Sequence, residues 1–352
     1  MNSRCGGWIC IFCFSLVSGS AQQNGPAGQP EPAASVSPGS ANRRVTLDVV
    51  VTDKSGRPVR GLEQRDFTLL DNEQPRKIVS FQAIEGGTAT ADSPMEVILL
   101  VDQVNTAFRN VAMARNEILR FLRRNGGALG QPVSLVFLSD SGATATTSSR
   151  DGNVVIADLN QKQLGLRSIG EYGFDRIQLS HHALRHFADY EATMPGRKLL
   201  VWISPGWPFL VGFPERERQE LFDSIVAVSD GLRRARITLY NIDPLGIEDA
   251  VSVRTSDYKR YLGAAKTAGQ ADYAHLALQV LAYQSGGLVL NSSNDLESEI
   301  ATCVADANTF YVLSFDGLPG DGPNEYHALK IKIDKPGLAV RTRSGYYAQP
   351  ER

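Results

Sequence analysis

The sequence predicts an α/β fold, in which a doubly wound, mainly parallel sheet is accompanied by a small β-sandwich-like domain. Over about 200 residues, short apolar runs alternate with segments of helical periodicity, which is typical of a sheet covered by helices on both faces. Segments of strand-like alternation without helices stand on both sides of this region. They are too small to bury a core alone, so we expect them to pack together.

The chain has 352 residues and a formal net charge of −2, from 36 Lys and Arg against 38 Asp and Glu. This balance argues against a protein held on nucleic acid by bulk charge. Hydrophobic residues make up 42% and charged residues 21%, as in a globular chain with a substantial core.

The N-terminal segment predicts export. Arg4 precedes an apolar run of about 13 residues, too short to span a bilayer, and Ala21 ends a stretch of small residues. We predict a signal peptide over residues 1–21, the alternatives being a buried amphipathic helix or a misjudged start codon. We therefore expect a secreted, periplasmic or cell-surface protein. No later apolar run is long enough to predict a membrane span in the mature chain.

The remaining chain divides into four parts. Residues 22–43 are rich in Pro, Gly, Ala, Ser and Gln and predict a disordered linker. Residues 44–86 form an N-terminal β segment, residues 95–308 the α/β domain, and residues 309–348 a C-terminal β segment that packs with the first.

The elements follow from hydrophobic periodicity. In the N-terminal β segment we predict strands at residues 45–52, 67–70 and 77–81. In the α/β domain we predict buried strands at residues 97–101, 133–138, 198–203, 237–242 and 288–290, and a short edge strand at 143–149. We predict helices at residues 107–124, 153–160, 176–193, 215–236, 272–284 and 296–307. In the C-terminal β segment we predict strands at residues 310–315, 328–333 and 340–342.

Three stretches carry a resemblance to a known family. They are VTDKSGRPVRGLEQRDFTLLDNEQPRKIVSF near the N-terminus, VILLVDQVNT at the first core strand, and YVLSF with YHALKIKIDKPGLAVRTRSGYYA near the C-terminus. In order and spacing, the chain resembles the von Willebrand factor type A domain over about residues 45–348. It is most similar to the secreted type A-related family of acidobacteria. The resemblance implies a fold and a binding role, but not a particular ligand.

The resemblance also implies a metal-ion-dependent adhesion site, usually Mg²⁺ held by an Asp-x-Ser-x-Ser stretch after the first strand, a later Thr and an Asp after the fourth strand. Here Asp102 matches and Thr106 keeps a hydroxyl, so both are candidate metal ligands. Val104 has no ligating atom, and Ser204 stands where the second Asp would be. The site is therefore degenerate. In the alternative interpretation, Asp102 caps the following helix or bonds the backbone, with Asn105 and Thr106 helping at the N-terminus of that helix.

The carboxyl ends of the strands form the predicted binding edge, since ligands of open α/β sheets bind there. The candidate partner-binding residues are Asp102, Asn105, Thr106, Ser204 and Trp207. Trp207 follows Gly206 in a loop, where it could be exposed for an interface or packed in the core.

Other groups of residues are weaker candidates for a functional site. His181, His182 and His186 lie on one predicted helix and could hold a metal with Asp189 or His275, but surface or interhelical histidines are the favoured interpretation. The chain has no Gly-x-Ser-x-Gly elbow and no phosphate-binding loop.

Three functions remain in order of preference. The first is a secreted, non-enzymatic module that binds a protein or a surface polymer. The second is a structural or adhesion component of the envelope without metal dependence. The third is an extracytoplasmic hydrolase that uses Ser204.

Overall fold

The computed structural model describes residues 43–86, 95–162, 173–207, 215–244, 258–291, 293 and 295–351. The chain divides into two compact units, residues 1–37 and residues 38–352, and every described residue belongs to the second. The predicted signal peptide lies outside the described residues, as does the predicted linker apart from Arg43. None of the described helices is long and apolar enough to cross a membrane.

Strands and helices alternate in the middle of the chain, and strands alone occupy both ends. The strands are β1 (Arg44–Thr52), β2 (Phe67–Asp71), β3 (Gln74–Arg76), β4 (Ser80–Glu85), β5 (Met95–Asp102), β6 (Ala128–Ser139), β7 (Gly142–Ala145), β8 (Ser149–Asp151), β9 (Arg197–Ile203), β10 (Ile237–Ile242), β11 (Val289–Leu290), β12 (Thr309–Asp316), β13 (Glu325–Ile333), β14 (Ala339–Arg341) and β15 (Gly345–Ala348). The α-helices are α1 (Phe108–Leu122), α2 (Gly152–Gln161), α3 (Gly173–Glu191), α4 (Arg218–Arg234), α5 (Leu278–Gln284) and α6 (Leu296–Ala305).

The central sheet has the strand order β11-β10-β9-β5-β6-β7, with β8 also paired to β6. The five strands β5, β6, β9, β10 and β11 run parallel, whereas β7 and β8 run antiparallel to β6. This arrangement confirms a mainly parallel sheet flanked by short antiparallel strands.

The two faces of this sheet bury two separate hydrophobic clusters. Along β5, Ile98 and Leu100 belong to a cluster with α3, α4 and α5, whereas Val97, Leu99 and Val101 belong to a cluster with α1, α2 and α6. Successive side chains of a strand point to opposite faces, so a continuous apolar run is required when helices cover both. The doubly wound arrangement follows from that run.

Strands from the two ends of the described chain combine into two antiparallel sheets. Their orders are β14-β1-β12-β4 and β15-β13-β2-β3. One hydrophobic cluster contains residues of both sheets, including Leu47, Leu69, Phe315 and Tyr346. Strands near the N-terminus pair with strands near the C-terminus in both sheets, while the domain boundaries and a separate β-sandwich domain stay predictions.

Some element boundaries differ from the prediction. The strand predicted at residues 77–81 is displaced: it overlaps β4 only at Ser80 and Phe81, and the residues between β3 and β4 belong to neither strand. The helix predicted at residues 272–284 is a 3-10 turn at Tyr273–Leu276 followed by α5. Ala277 has ψ 142°, which interrupts the helix because this backbone is extended. Strand β15 was not predicted.

Candidate functional site

The candidate residues lie where the central sheet ends on its carboxyl side. Asp102 is the last residue of β5, and Ser204 follows β9, the strand beside it. Val101 and Ile203 are directly paired in the register of these strands. The parallel pairing therefore carries Asp102 and Ser204 to the same edge. We call Asp102, Asn105, Thr106, Ser204 and Trp207 the carboxyl-edge cluster.

Asp102 is fully buried, and four donors of the chain itself satisfy its carboxylate. Oδ1 accepts the backbone N–H groups of Val104 at 2.9 Å and Asn105 at 2.8 Å. Oδ2 accepts Asn105 Nδ2 at 2.8 Å and Trp202 Nε1 at 3.0 Å. A carboxylate offers about four acceptor positions, so internal donors use this capacity. Asp102 therefore bonds the backbone of the following turn, but it does not cap the next helix, whose N-cap is Ala107 without a side-chain hydrogen bond.

The other predicted metal ligand, Thr106, is buried with its hydroxyl oxygen unpartnered among the described residues. The same holds for Asn105 Oδ1, whereas Asn105 Nδ2 also donates to Ser180 Oγ of α3 at 2.8 Å. Two neutral oxygens beside a carboxylate that already accepts four hydrogen bonds are a poor set for Mg²⁺, which prefers available anionic oxygen ligands. No group of three or more His, Cys, Asp and Glu able to hold a metal occurs within the part of the chain that the structure describes. The residues present do not fit the implied cation site.

Ser204 is also fully buried, and its hydroxyl and carbonyl oxygens accept hydrogen bonds from other parts of the chain. Its Oγ accepts the backbone N–H of Gly206 at 3.1 Å, and its carbonyl accepts Asn241 Nδ2 at 2.8 Å. The recorded partner of the hydroxyl is thus a backbone amide and not an imidazole.

Trp207 is packed inside, so the expectation that it could be exposed is wrong and the core alternative holds. Only 6% of its surface is exposed, and Nε1 donates to the carbonyl of Leu276 at 3.0 Å. Its ring lies 5.4 Å from that of Trp202 and 5.1 Å from that of His181, edge to face in both cases. The cause is tertiary: the turn that contains Leu276 returns from 69 residues away to accept the indole N–H.

Helix α5 and the turn before it hold this edge in place. Gln279 Nε2 donates to the carbonyl of Pro205 at 3.0 Å. Gly206 has φ +87°, and a Cβ there would meet the Gln279 amide at 2.8 Å. The left-handed backbone and the close approach together favour glycine at this position.

The sequence did not reveal the residues that support the cluster. Ser180 lies 75 residues from Asn105, and His181 Nε2 lies 3.2 Å from the Leu276 carbonyl, 95 residues away. Burial lowers the pKa of His181 to about 4, so the imidazole is neutral at pH 7. Helical periodicity could place Ser180 and His181 on α3, but no spacing rule pairs them with loops so distant.

The remaining predicted histidines do not form a metal site with the proposed partners. The His182 and His186 rings are 4.2 Å apart, consistent with neighbours on one helix. Asp189 lies 3.8 Å from Arg234, and His275 Nδ1 accepts the N–H of Asp272 at 3.1 Å. The favoured interpretation of surface and interhelical histidines agrees with these contacts.

Comparison with models of protein families gave no match, and comparison with curated proteins gave none either. Among solved structures, the chain is similar to proximal thread matrix protein 1 from the mussel byssus, at 14% identity and TM-score 0.34, covering 61% of this chain and 48% of that one. One structure of that mussel protein has a zinc-occupied MIDAS motif. A pilus adhesin, SpaC from Lactobacillus rhamnosus GG, is 10% identical with TM-score 0.39, covering 83% and 49%. The VWA domain of SpRpn10 is 15% identical with TM-score 0.29, covering 59% and 94%.

The chain spans about half the length of the mussel and pilus proteins. Structures of type A domains are therefore among those to which it is similar, but identities and TM-scores this low carry no argument about function. The fold class rests on the strand order, which is that of an open, doubly wound α/β sheet. A closer relation to secreted acidobacterial proteins stays a prediction.

Proposed function

We propose that this protein is an extracytoplasmic, non-enzymatic binding module that recognises a protein or a surface polymer at the carboxyl edge of its central sheet without a bound divalent cation. The observation that carries the metal-free part is the satisfied carboxylate of Asp102. A cation there would have to displace hydrogen bonds that also order the following turn. Of the functions that the sequence leaves open, the satisfied carboxylate of Asp102 favours binding that is independent of metal.

The carboxyl-edge cluster then has a positioning role. Asn105 joins the turn after β5 to α3, and Trp207 joins the segment after β9 to the turn before α5. These contacts fix the ends of two adjacent strands relative to the helices. In this proposal the buried side chains hold the edge in shape, and its exposed groups make the partner contacts.

The non-enzymatic part is supported by the surroundings of Ser204. A serine nucleophile needs a base within hydrogen-bond reach and access to a substrate. Ser204 has 0% exposure, and its recorded hydroxyl contact is the Gly206 amide. Hydrolysis of ester or peptide substrates that disappears in Ser204→Ala would contradict this part of the proposal.

The metal-free part is tested by thermal unfolding of the purified protein in millimolar Mg²⁺ and in EDTA. We expect equal melting temperatures, because a ligand raises stability only when the folded state binds it. Asp102→Asn should lower stability by about 2–4 kcal/mol in both buffers, because it places an amide donor among groups that need an acceptor. Asp334→Asn, at an exposed position after β13, is the matched control and should change little.

Binding is tested by immobilising the protein and exposing it to envelope and culture-fluid fractions in EDTA and in Mg²⁺. Equal capture of a specific macromolecule in both buffers is the expected result. Capture that requires Mg²⁺ and is lost in Asp102→Asn would show that the cation-free proposal is wrong. No capture in either buffer would contradict the binding role itself.

A further inference from the structure

A second candidate binding surface is a cleft of about 590 Å³ between the central sheet and the C-terminal strands. This volume lies within the range of about 300–1,000 Å³ that ligand pockets occupy. The cleft shares no lining residue with the carboxyl-edge cluster. Its lining includes Tyr283, Val289, Leu329 and Ile331, together with four basic residues.

The charge of the lining is one-sided. Lys259, Lys330, Arg341 and Arg343 line the cleft, and no Asp or Glu does. Arg341 is neutralised, because its guanidinium donates to both oxygens of Asp306 at 2.7 and 2.9 Å. None of the other three cations donates a hydrogen bond to a carboxylate among the described residues, although Arg343 is buried and lies near Asp230 and Asp48.

Those three cations differ in how firmly they are held. Lys330 is 57% exposed and has only a distant contact with Glu73, at 3.8 Å. Lys259 is exposed, and Arg343 donates to a carbonyl oxygen, that of Ser229, at 3.3 Å. A surface pair at this separation contributes little, so the lysines are available to an incoming anion.

One wall of the cleft is the edge of the central sheet. Strand β11 ends the sheet, and its bonds to β10 use the carbonyls of Leu288 and Leu290, which accept Asn241 N–H at 2.9 Å and Asp243 N–H at 2.8 Å. Val289 lies between them, and backbone groups alternate in direction along a strand. Its N–H and C=O therefore point away from β10, on the side where another strand would pair.

The opposite wall contains a second partly open strand. β15 pairs with β13 only as far as Ala328, and one further bond joins Leu329 N–H to the Ser344 carbonyl at 2.9 Å. From Lys330 onward, β2 occupies one side of β13, and no strand within the described residues pairs with the other. Buried Leu329 and Ile331 add an apolar floor to the same wall, and Tyr283, 51% exposed, stands among the lining residues.

We propose that this cleft binds an extended acidic peptide segment of a partner protein, which adds as a strand along β11 or β13. Unpaired strand edges supply backbone hydrogen bonds, and alternate side chains of an added strand face opposite sides. Apolar residues of the segment would contact the floor, and carboxylates would meet Lys259 and Lys330. This inference is independent of the function proposed for the carboxyl edge.

The test uses a labelled synthetic peptide of about six alternating Glu and Val residues, a usual strand length, with binding followed by fluorescence anisotropy on the full chain. We expect it to bind, and a Lys-Val peptide of equal length not to bind. Affinity should fall as salt rises from about 0.1 M to about 1 M, because the screening length shrinks from about 10 Å to about 3 Å. Equal binding of both peptides, or binding of neither, would overturn the proposal.

Two further experiments test where the peptide binds and whether it binds by strand addition. Lys259→Glu with Lys330→Glu should weaken binding about tenfold or more, whereas Lys54→Glu with Lys266→Glu, an equal charge change at exposed lysines outside the cleft, should not. An acidic peptide methylated on every backbone nitrogen keeps its charge but has no N–H to donate to a strand edge, and it should lose binding. Equal effects of the two double variants would refute the location, and undiminished binding of the methylated peptide would refute strand addition.

Discussion

At the residue scale, the donors around Asp102 decide what the carboxyl edge can hold. The sequence has an Asp where the resemblance implies a metal ligand, and it also allowed the interpretation in which Asp102 bonds the backbone and Asn105 and Thr106 help at a helix N-terminus. The folded chain adds Trp202 Nε1 as a fourth donor, from the adjacent strand. That contact depends on strand pairing, which local sequence does not specify, so the choice between the two interpretations needed the structure.

Two buried titratable groups should give opposite contributions to the pH dependence of stability. Burial lowers the pKa of His181 from 6.5 to about 4, so the unfolded chain takes up this proton first and stability is lost as pH falls from about 6.5 to 4. The loss can reach about 3 kcal/mol.

Glu299 has the opposite effect. Burial and nearby Asp243 raise the pKa of Glu299 from 4.5 to about 7, so this group contributes stability at low pH that is lost as pH rises from about 4.5 to 7.

The two effects are separated by urea unfolding between pH 4.5 and 7. Glu299→Gln should make the loss of stability on acidification steeper than in the wild type. His181→Gln should make it shallower or reverse it. Identical slopes in the two variants would contradict the opposed roles, and differences between variant and wild type isolate each group from the other titrating residues.

At the scale of elements, hydrophobic runs predicted the buried strands well, because a strand covered on both faces admits almost no polar residue. They failed where tertiary contacts set the boundary. The 3-10 turn at Tyr273–Leu276 begins at Asp272, whose side chain accepts the N–H of Ala274, and Ala277 then interrupts the helix. The break allows the carbonyl of Leu276 in this turn to accept the indole N–H of Trp207, a contact that no local pattern predicts.

The junction between α5 and β11 gives a test at this scale. A Cβ on Gly287 would lie 1.9 Å from the carbonyl oxygen of Leu239 on β10. Gly287→Ala should therefore force backbone apart and lower the free energy of unfolding by about 2–4 kcal/mol in guanidinium titrations. Gly263→Ala is the matched control, since nothing lies within 4 Å of its Cβ, and it should change stability by less than about 1 kcal/mol. Equal effects of the two substitutions would contradict the close approach.

At the scale of the whole molecule, buried Asp306 joins the C-terminal strands to the central sheet. It accepts both bonds of Arg341 from β14 and the hydroxyl of Tyr240 from β10 at 2.8 Å. Its carbonyl accepts Arg197 of β9 at 3.0 Å. A network that spans a parallel and an antiparallel sheet should make the two unfold together.

Asp306→Ala should lower stability by about 3–5 kcal/mol, because it leaves the Arg341 charge and the Tyr240 hydroxyl without their partner. Asp316→Ala removes the partner of Arg44 in a more exposed pair and should cost less than about 1 kcal/mol. In the wild type without the predicted signal peptide, which contains Trp8, tryptophan fluorescence reports Trp202 and Trp207 and should change together with far-ultraviolet circular dichroism. A second dichroism transition after the fluorescence change is complete would show that the antiparallel sheets unfold as an independent domain.

By itself, the sequence determined the fold class and the buried strands, since these follow from the local period of apolar residues. Only the tertiary structure decided that the five candidate residues are buried, that Asp102 is satisfied by the chain and that a cationic cleft lies beside β11. Each of these depends on contacts between residues far apart in the chain. Periodicity gives the face on which a side chain lies, but the packing of whole elements determines what it meets there.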